Sequence, residues 1–389
     1  MRKCWQIILV VAGLLVSVTR ADTLPPIQTV FIILMENYPW SSIKGSTNAP
    51  YINDVLLPMG VHCEQYYNPS NYNCSLLGYL WLEAGTAFGI STFDPHCDDP
   101  PSVNHQSTTN HLVSQLDRAG ISWKTYQEGG LSDRMLFTDL GNYAVRHNAF
   151  VYFDDVTGTN DQFYPYGVAH VRPYSELAGD LASNTVAQYN FITPDLCHDM
   201  HNSCAPTNNA IRQGDGWLAT EVPQIMASAA YTNNGAIFIT WDDPDITTPV
   251  PIGMIVVSPL VRAPGYVCTN RYDHSSTLRT FQEIFRVGPF LGGAAGATNL
   301  SELFVPGNTN APGAARITSL NLRPVSTELT VTGLFGGAPL VLEESTNLAG
   351  WSPVSTSFVI GGSPPSATIT NTAVPSAAQR FYRFSQPVP

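Results

Sequence analysis

The apolar run TVFIILM, residues Thr29–Met35, constrains the fold more than any other stretch of the chain. Six of its seven residues are apolar, and they do not alternate with polar ones. Such a run is typical of a strand that is buried on both faces, as in a parallel sheet. The run stops at Glu36 and Asn37. The sequence therefore predicts a core strand that ends in a carboxylate and an amide.

Four further segments predict strands of the same kind, and two segments between or after them predict helices. The strand segments are GISWKTYQEG, AQYNFITPDL, AIFITWDD and GMIVVSPLV. The segments TTNHLVSQLDRAG and DHSSTLRTFQEIFRV place their apolar residues at helical spacing. Strands that alternate with helices predict an α/β sheet with helices on both faces.

Composition divides the chain into four predicted parts. A basic start, an apolar run and small residues predict a secretory signal peptide over residues 1–21. The strand and helix pattern occupies residues 22–300, and residues 301–315 are a linker rich in Gly, Ala, Asn and Pro. Short alternating runs such as ELTVTG and LVLEES predict a small C-terminal β-sandwich module over residues 316–389.

The predicted signal peptide implies a secreted or periplasmic protein. No later segment is long and apolar enough to predict an integral membrane segment in the mature chain. Removing Arg2, Lys3 and Arg20 with the signal changes the formal charge from -12 to -15. An acidic surface of this kind argues against nucleic acid as a partner, since the phosphate backbone attracts basic proteins.

Six cysteines remain after the predicted signal is removed, because Cys4 lies within it. An even number in an exported chain favours disulfides, although six cysteines allow fifteen pairings. Cys197 and Cys204 are the best local pair. The alternative of a zinc cluster has no paired C-x-x-C signature to support it.

Polar clusters follow three of the predicted strands. Glu36 and Asn37 follow the first strand, TPDLCHDMH follows a later one, and Asp242 and Asp243 follow AIFITW. One such cluster can arise simply because the chain reaches water. Three clusters are harder to explain in that way, because the carboxyl ends of parallel strands meet at one edge of a sheet. We therefore expect one functional site at that edge.

The residue types in these clusters indicate a metal site. Carboxylate and amide oxygens suit a hard divalent cation, and His198, His201 and His274 can add nitrogen ligands or proton donors. A hydroxyl nucleophile would complete a metal-assisted displacement. The remaining histidines lie in no cluster and are expected to be ordinary surface or core residues: His62, His96, His105, His111, His147 and His170.

Six motifs in the same order carry a resemblance to a known family. They are FIILMENYPW, CSLLGYLWLEAG, HLVSQLDRAGISWKTYQEG, FITPDLCHDMHN, FITWDDPD and SPLVRAPGYVCTNRYDHSSTLRTFQEIF. Together they resemble the metal-dependent phosphoesterase family of acid phosphatases and bacterial phospholipases C, within the alkaline phosphatase superfamily. The resemblance covers about residues 29–286 and implies a three-layer α/β/α sandwich of the alkaline-phosphatase-like type.

The resemblance implies roles for named residues. Glu36, Asn37, Asp242 and Asp243 match the metal ligands, and Ser75 falls where the family has its nucleophile. The identity of the ion stays open, with Mg, Ca, Mn and Zn as the candidates.

Further implied roles concern acid, base and phosphate binding. His201 and His274 match histidines that bind phosphate, donate a proton or ligate a second metal, and Asp199 is a weaker catalytic candidate. Ser70 and Thr86 are alternative nucleophiles if the local match is shifted.

Two departures from the family pattern leave alternatives open. The Pro-Asn that follows the nucleophile in the family is Leu77-Gly78 here, and Asp243 stands where many relatives have Glu. We expect a phosphatase that acts on phosphomonoesters through a serine nucleophile, with a small phosphate ester or a phospholipid head group as partner. The alternatives are a phospholipase C or other phosphodiesterase, and a non-catalytic binding protein on the same fold.

Overall fold

The computed structural model describes residues 24–69, 74–245 and 248–306, together with the backbone of short strands after residue 315. The predicted signal peptide and Ser70 lie outside the described residues. Eight strands form one sheet: β1 Thr29–Met35, β2 Val61–Tyr67, β3 Trp123–Gln127, β4 Val171–Pro173, β5 Tyr189–Thr193, β6 Gly235–Trp241, β7 Met254–Val257 and β8 Tyr266–Asp273.

Helices connect and flank these strands. In chain order they are α1 Trp40–Ile43, α2 Leu57–Met59, α3 Ser75–Ala84, α4 Pro101–Asn104, α5 Leu112–Arg118, α6 Asp154–Thr157, α7 Pro165–His170, α8 Leu177–Ser183, α9 Ala210–Met226, α10 Ala229–Thr232 and α11 His274–Phe285. A π-helical turn, Ile52–Leu56, runs into α2, and 3₁₀ turns cover Val145–His147, Ala149–Tyr152, Tyr174–Glu176, Gly292–Ala295 and Ser301–Leu303. None of the described helices combines the length and apolarity needed to cross a membrane.

The strand order across the sheet is β4-β3-β5-β1-β6-β7-β2-β8. β7 runs antiparallel to both of its neighbours, and the other pairs are parallel. In the register of β1 with β6, Met35 pairs with Trp241. The residues that follow these two, Glu36 and Asp242, therefore leave the sheet side by side.

Side-chain alternation along the strands separates two helical layers. Phe238 of β6 contacts Phe281 of α11 edge-on, with ring centroids 5.0 Å apart. Met35 points to the opposite face and reaches Gly214 of α9, where an added Cβ would lie 2.9 Å from the methionine methyl. Helices thus cover both faces of the sheet, which confirms the predicted α/β sandwich.

Five predicted strands and both predicted helices are present, whereas β2, β4 and β8 were not predicted. β1, β3, β5, β6 and β7 correspond to the five apolar segments. α5 ends just before Gly120, whose φ of 70° closes the turn, and α11 begins with a capping box between Asp273 and Ser276. β8 is an edge strand with several exposed polar residues, so its sequence lacks the apolar signal of a buried strand.

Two disulfides join cysteines in the described residues. Cys197 pairs with Cys204, as predicted, and Cys74 pairs with Cys97. Cys63 and Cys268 are buried free thiols on the neighbouring strands β2 and β8.

The chain beyond residue 315 contains two small sheets of antiparallel strands. Its strands are β9 Arg316–Arg323, β10 Ser326–Thr332, β11 Pro339–Ser345, β12 Ser352–Pro353, β13 Phe358–Val359, β14 Ser366–Asn371 and β15 Phe381–Ser385. One sheet has the order β14-β10-β9, and in the other β11 pairs with β12, β13 and β15. The β-sandwich module and the bounds of the four parts of the chain stay predictions.

A buried ionic network joins α3, α5 and α6. His111, which precedes α5, has its Nδ1 3.2 Å from Glu83 Oε1 and its Nε2 2.9 Å from Asp155 Oδ1. The imidazole stacks on Phe153 with ring centroids 3.9 Å apart. Burial lowers the pKa of His111, but the hydrogen bonds and charges of Asp155 and Glu83 outweigh it, so the pKa is raised overall.

The raised pKa of His111 predicts a pH-dependent contribution to stability. A histidine whose pKa is higher in the folded state stabilises the protein fully below its unfolded pKa, and this is lost as the pH rises through the folded pKa. We expect His111→Gln to lower the free energy of unfolding by about 3 kcal/mol at pH 5, with a smaller loss at pH 9. Urea unfolding at both pH values measures this difference.

The matched control is His105→Gln, because His105 also pairs with an aspartate, Asp154, but is more exposed. Exposed ion pairs contribute little, so its effect should stay below about 1 kcal/mol at either pH. An equal loss for His111→Gln at both pH values would contradict the ionic role.

Candidate active site

Ser75 is the first residue of α3 and lies at the carboxyl edge of the sheet. Its Oγ donates a hydrogen bond to Glu36 Oε2 over 3.1 Å, and the residue is 7% exposed. The disulfide of Cys74 with Cys97 anchors the residue before it. Next to Ser75, the Leu76 N–H donates to Asp98 Oδ1 over 3.0 Å. The predicted nucleophile is thus held on a rigid helix start and in contact with a predicted metal ligand.

The four predicted metal ligands lie together. Glu36, Asp242 and Asp243 are buried, and Asn37 lies beside them at the cleft. The Asn37 backbone N–H donates to Asp242 Oδ1 over 3.2 Å. Asn37 has a φ of 58°, a left-handed conformation that asparagine tolerates better than most residues. The register of β1 and β6 is what brings these two segments into contact.

Gly78 explains one departure from the family pattern. It lies on α3 against Asp242, and an added Cβ would be 3.2 Å from both the Cβ and the carbonyl oxygen of Asp242. A contact of that length is tighter than ordinary packing, so glycine lets the helix that carries Ser75 approach β6 closely.

Asp199 and His201 follow β5. Asp199 Oδ1 accepts the His201 N–H over 2.7 Å, and the Asp199 carbonyl oxygen accepts the Glu36 N–H over 2.8 Å. Met200 between them has a φ of 83°. A bulky residue in this conformation is strained, and such strain is often found at functional sites. His201 lines the cleft, whereas the buried Asp199 lies behind it.

The structure does not bring His274 to the cleft wall. It is the first residue of α11, fully buried, and its Nε2 lies 3.0 Å from the Trp241 carbonyl oxygen. Burial lowers the pKa of His274 to about 4, so the neutral ring donates to this carbonyl. In this position the His274 ring supports the end of β6, and Asp242 follows directly after it. Thr86 follows the other end of α3, about 15 Å along the helix from Ser75.

The structure adds two candidate functional residues that the sequence patterns did not predict, Arg146 and His147. Both lie on the 3₁₀ turn Val145–His147, between β3 and β4. His147 Nε2 is 3.3 Å from Glu36 Oε1 and its Nδ1 is 3.1 Å from Asp199 Oδ2. Arg146 Nη2 donates to His201 Nε2 over 3.2 Å. His147 is buried, as a core histidine would be, but it also contacts a predicted metal ligand, and no strand end in the sequence points to that contact.

The site contains several buried carboxyl groups and too few nearby positive charges to balance them. Burial raises the pKa of Glu36 well above its usual range, and repulsion from Asp199 and Asp243 adds to it. Burial likewise raises the pKa of Asp242, Asp243 and Asp199. Burial lowers the pKa of His147 well below its usual range, and the nearby Arg146 and His201 lower it further.

This arrangement fits a divalent cation. Among the described residues, Glu36 Oε1 and Asp242 Oδ2 are buried oxygens without a hydrogen-bond partner. Ligand atoms of Glu36, His147 and His201 lie within 4.8 Å of one another. A cation beside such atoms would satisfy the unpartnered oxygens and relieve the repulsion between the carboxylates.

The site opens into a cleft of about 730 Å³. Ser75 and Asn37 lie on its wall. The charged or ionisable side chains that line it are four carboxylates, an arginine and a histidine: Asp98, Asp139, Asp243, Asp245, Arg146 and His201. A hydroxyl, a cation site and an arginine on one open wall are suited to displacement at an anionic phosphoryl group.

Comparison with solved structures places the fold in a known class. A protein of the alkaline phosphatase superfamily from Vibrio parahaemolyticus superposes with a TM-score of 0.50 at 10% identity, covering 86% of this chain and 84% of that one. The protein is therefore an α/β sandwich of the alkaline-phosphatase-like type.

Sequence comparison identifies the family. Residues 59–288, more than half of the chain, match the Phosphoesterase family. The chain belongs to the Phosphoesterase family, whose members named below are hydrolases of phosphoric ester bonds.

Individual relatives include phosphatases and a phospholipase. The Phosphatidylinositol-3-phosphatase of Mycobacterium tuberculosis is 26% identical over 286 residues, which span 73% of this chain and 85% of the relative. A probable acid phosphatase of Kluyveromyces lactis is 22% identical, and the match covers 70% of this chain and 61% of that relative. Phospholipase C A of M. tuberculosis is 23% identical, and the match covers 64% of this chain and 56% of that relative. The match thus spans less than two thirds of the last two relatives.

The buried carboxylates predict how metal removal changes stability. Their pKa values are raised in the folded state, so their contribution is present below the unfolded pKa near 4 and is lost as the pH rises through the folded values. We expect the metal-free protein in EDTA to lose stability between pH 4.5 and pH 7 relative to the protein with Mn²⁺.

At pH 7, Mn²⁺ at about 1,000 times its Kd should raise the free energy of unfolding by about 4 kcal/mol. The gain should be much smaller at pH 4.5, where protonated carboxylates no longer bind the ion. Urea unfolding with and without Mn²⁺ measures both values. Equal stability with and without the ion at pH 7 would contradict a cation site here.

Proposed function

We propose that this chain is a secreted or periplasmic, metal-dependent phosphatase that hydrolyses phosphomonoesters through Ser75. Glu36, Asn37, Asp242 and Asp243 hold the divalent cation. The hydrogen bond from Ser75 Oγ to Glu36 Oε2, at 3.1 Å, carries this proposal because it joins a hydroxyl at the start of a helix to the buried acids. The substrate is a small phosphate ester or a phospholipid head group.

The residues of the chain supply the parts of a two-step displacement. When bound, the cation lowers the pKa of a nearby hydroxyl and offsets the charge on the phosphoryl oxygens. The Ser75 proton passes to Glu36, and Oγ forms a bond to phosphorus as the ester P–O bond breaks. The departing alcohol takes a proton from solvent in the open cleft. A water oxygen then attacks phosphorus, the P–Oγ bond breaks, and Oγ takes its proton back from Glu36 as phosphate leaves with the protons of the water.

Two further features support attack at Ser75. The N-terminus of α3 brings the positive end of the helix dipole to Ser75, where it favours an anion. Arg146 lies on the same cleft wall and adds a positive charge. These groups offset the four carboxylates of the cleft, which would otherwise repel a phosphate ester.

A phospholipase C or other phosphodiesterase is the second candidate, favoured by the similarity to Phospholipase C A. The relatives with the higher coverage of this chain carry phosphatase names, which favours the monoesterase. A non-catalytic binding protein is disfavoured because Ser75 and the acid cluster are assembled together.

Substrate assays separate these functions. Purified protein with Mn²⁺, Mg²⁺, Ca²⁺ or Zn²⁺ is tested on p-nitrophenyl phosphate, bis-p-nitrophenyl phosphate and phosphatidylcholine. Higher kcat/KM on the monoester is expected. Preference for the diester or the phospholipid would support the second candidate, and no turnover of any substrate would support the binding protein.

Replacement of the nucleophile gives a direct prediction. Ser75→Ala removes the hydroxyl, so we expect kcat on p-nitrophenyl phosphate to fall by at least roughly 10³-fold. Trapping with ³²P-labelled substrate should label wild type on Ser75 and leave the variant unlabelled. The control is Thr86→Ala, at the far end of α3, which should keep its activity within about twofold. Loss of activity in the control but not in Ser75→Ala would assign the nucleophile to Thr86.

A further inference from the structure

His147 sits between two buried carboxylates. Its Nδ1 lies 3.1 Å from Asp199 Oδ2, and its Nε2 lies 3.3 Å from Glu36 Oε1. The histidine is 1% exposed, so water does not separate it from either acid. Which ring nitrogen carries the proton therefore decides whether the other nitrogen has a lone pair that can bind a cation.

The hydrogen-bond geometry assigns that proton to Nδ1. The contact with Asp199 meets hydrogen-bond geometry, whereas Nε2 and Glu36 Oε1 both lack a hydrogen-bond partner within the described part of the chain. A neutral ring with its proton on Nδ1 presents a lone pair at Nε2. That lone pair faces a carboxylate oxygen at 3.3 Å, an arrangement that favours a cation beside both atoms.

The ring is also held in place. Tyr79 of α3 stacks on it with ring centroids 5.3 Å apart and an interplanar angle of 5°. Asp199 fixes the ring from behind, as a carboxylate does for histidines that ligate metals. A fixed nitrogen lone pair needs no rearrangement to bind an ion.

His201 is less suited to ligate the same ion, although it lies in the same group of ligand atoms. Its Nε2 accepts from Arg146 over 3.2 Å, and its Nδ1 is 2.9 Å from Asn202 Oδ1. Both nitrogens of His201 thus have partners, whereas His147 Nε2 has none among the described residues.

We propose that His147 is a nitrogen ligand of the cation at Glu36, so that the site takes a transition-metal or zinc ion in preference to Mg²⁺ or Ca²⁺. Imidazole nitrogen favours Zn²⁺ and the later transition metals, while a site of oxygen ligands alone suits Mg²⁺, Ca²⁺ and Mn²⁺. This inference rests on the cation of the proposed function and adds a ligand to it.

Electron spin echo envelope modulation of the Mn²⁺-loaded protein tests the ligand directly, with Mn²⁺ as the probe. Wild type should show ¹⁴N coupling from imidazole. His147→Gln and His147→Asn should lose it, and His201→Gln should keep it. Circular dichroism establishes that each variant is folded.

Metal competition gives a second readout that does not depend on turnover. Wild type should bind Zn²⁺ at least tenfold more tightly than Mg²⁺, and His147→Gln should reduce that ratio by about tenfold or more. The matched control is His62→Gln, which removes another buried histidine, one that lies 2.9 Å from Glu64. It should leave both the coupling and the ratio unchanged.

The outcomes separate this inference from the proposed function. Wild type that turns over p-nitrophenyl phosphate with Mn²⁺ but shows no ¹⁴N coupling would overturn the role of His147 alone. The same conclusion would follow if coupling persisted in a folded His147 variant, or if wild type bound Mg²⁺ as tightly as Zn²⁺. Wild type that binds no divalent ion and turns over no ester would overturn both proposals. If both His147 variants fail to fold, the wild-type coupling and ion ratio decide.

Discussion

The burial of several carboxylates at one sheet edge is the constraint on which the rest of the site depends. Glu36, Asp242, Asp243 and Asp199 are all nearly inaccessible to water. An ionised carboxylate that leaves water loses hydration worth several kcal/mol, and neighbouring charges of the same sign add repulsion. Such a cluster persists only where a stable core holds it and a counter-charge offsets it. The apolar strands β1, β5 and β6 supply the core, and the proposed cation would supply the missing charge.

The surrounding elements are built to keep this cluster in place. α3 reaches β6 closely because Gly78 has no side chain, and this puts Ser75 in contact with Glu36. The disulfide between Cys74 and Cys97 ties the start of α3 to the loop that carries Asp98. Packing of Phe281 on Phe238 holds α11 against the same sheet. Ser75 and the buried acids are therefore held by elements that pack against the sheet.

Sequence patterns predicted the central elements well and the peripheral ones poorly. β1, β5 and β6 are buried on both faces, so their apolar runs are unambiguous. β8 lies at an edge and carries exposed polar residues, so nothing in its sequence separates it from a loop. The direction of β7 was also hidden, because a buried strand has the same apolar run whether it pairs parallel or antiparallel.

The sequence by itself determined the sheet core, the carboxylates at its edge and, through motif resemblance, Ser75 as the candidate nucleophile. Each of these depends on residues that are close along the chain or on a motif that spans a few positions. Only the tertiary structure placed His147 between Glu36 and Asp199, and Arg146 beside His201. Those contacts join residues more than fifty positions apart through a 3₁₀ turn that has no strand or helix periodicity. Their proximity follows from how the whole sheet and its loops pack, which no local pattern encodes.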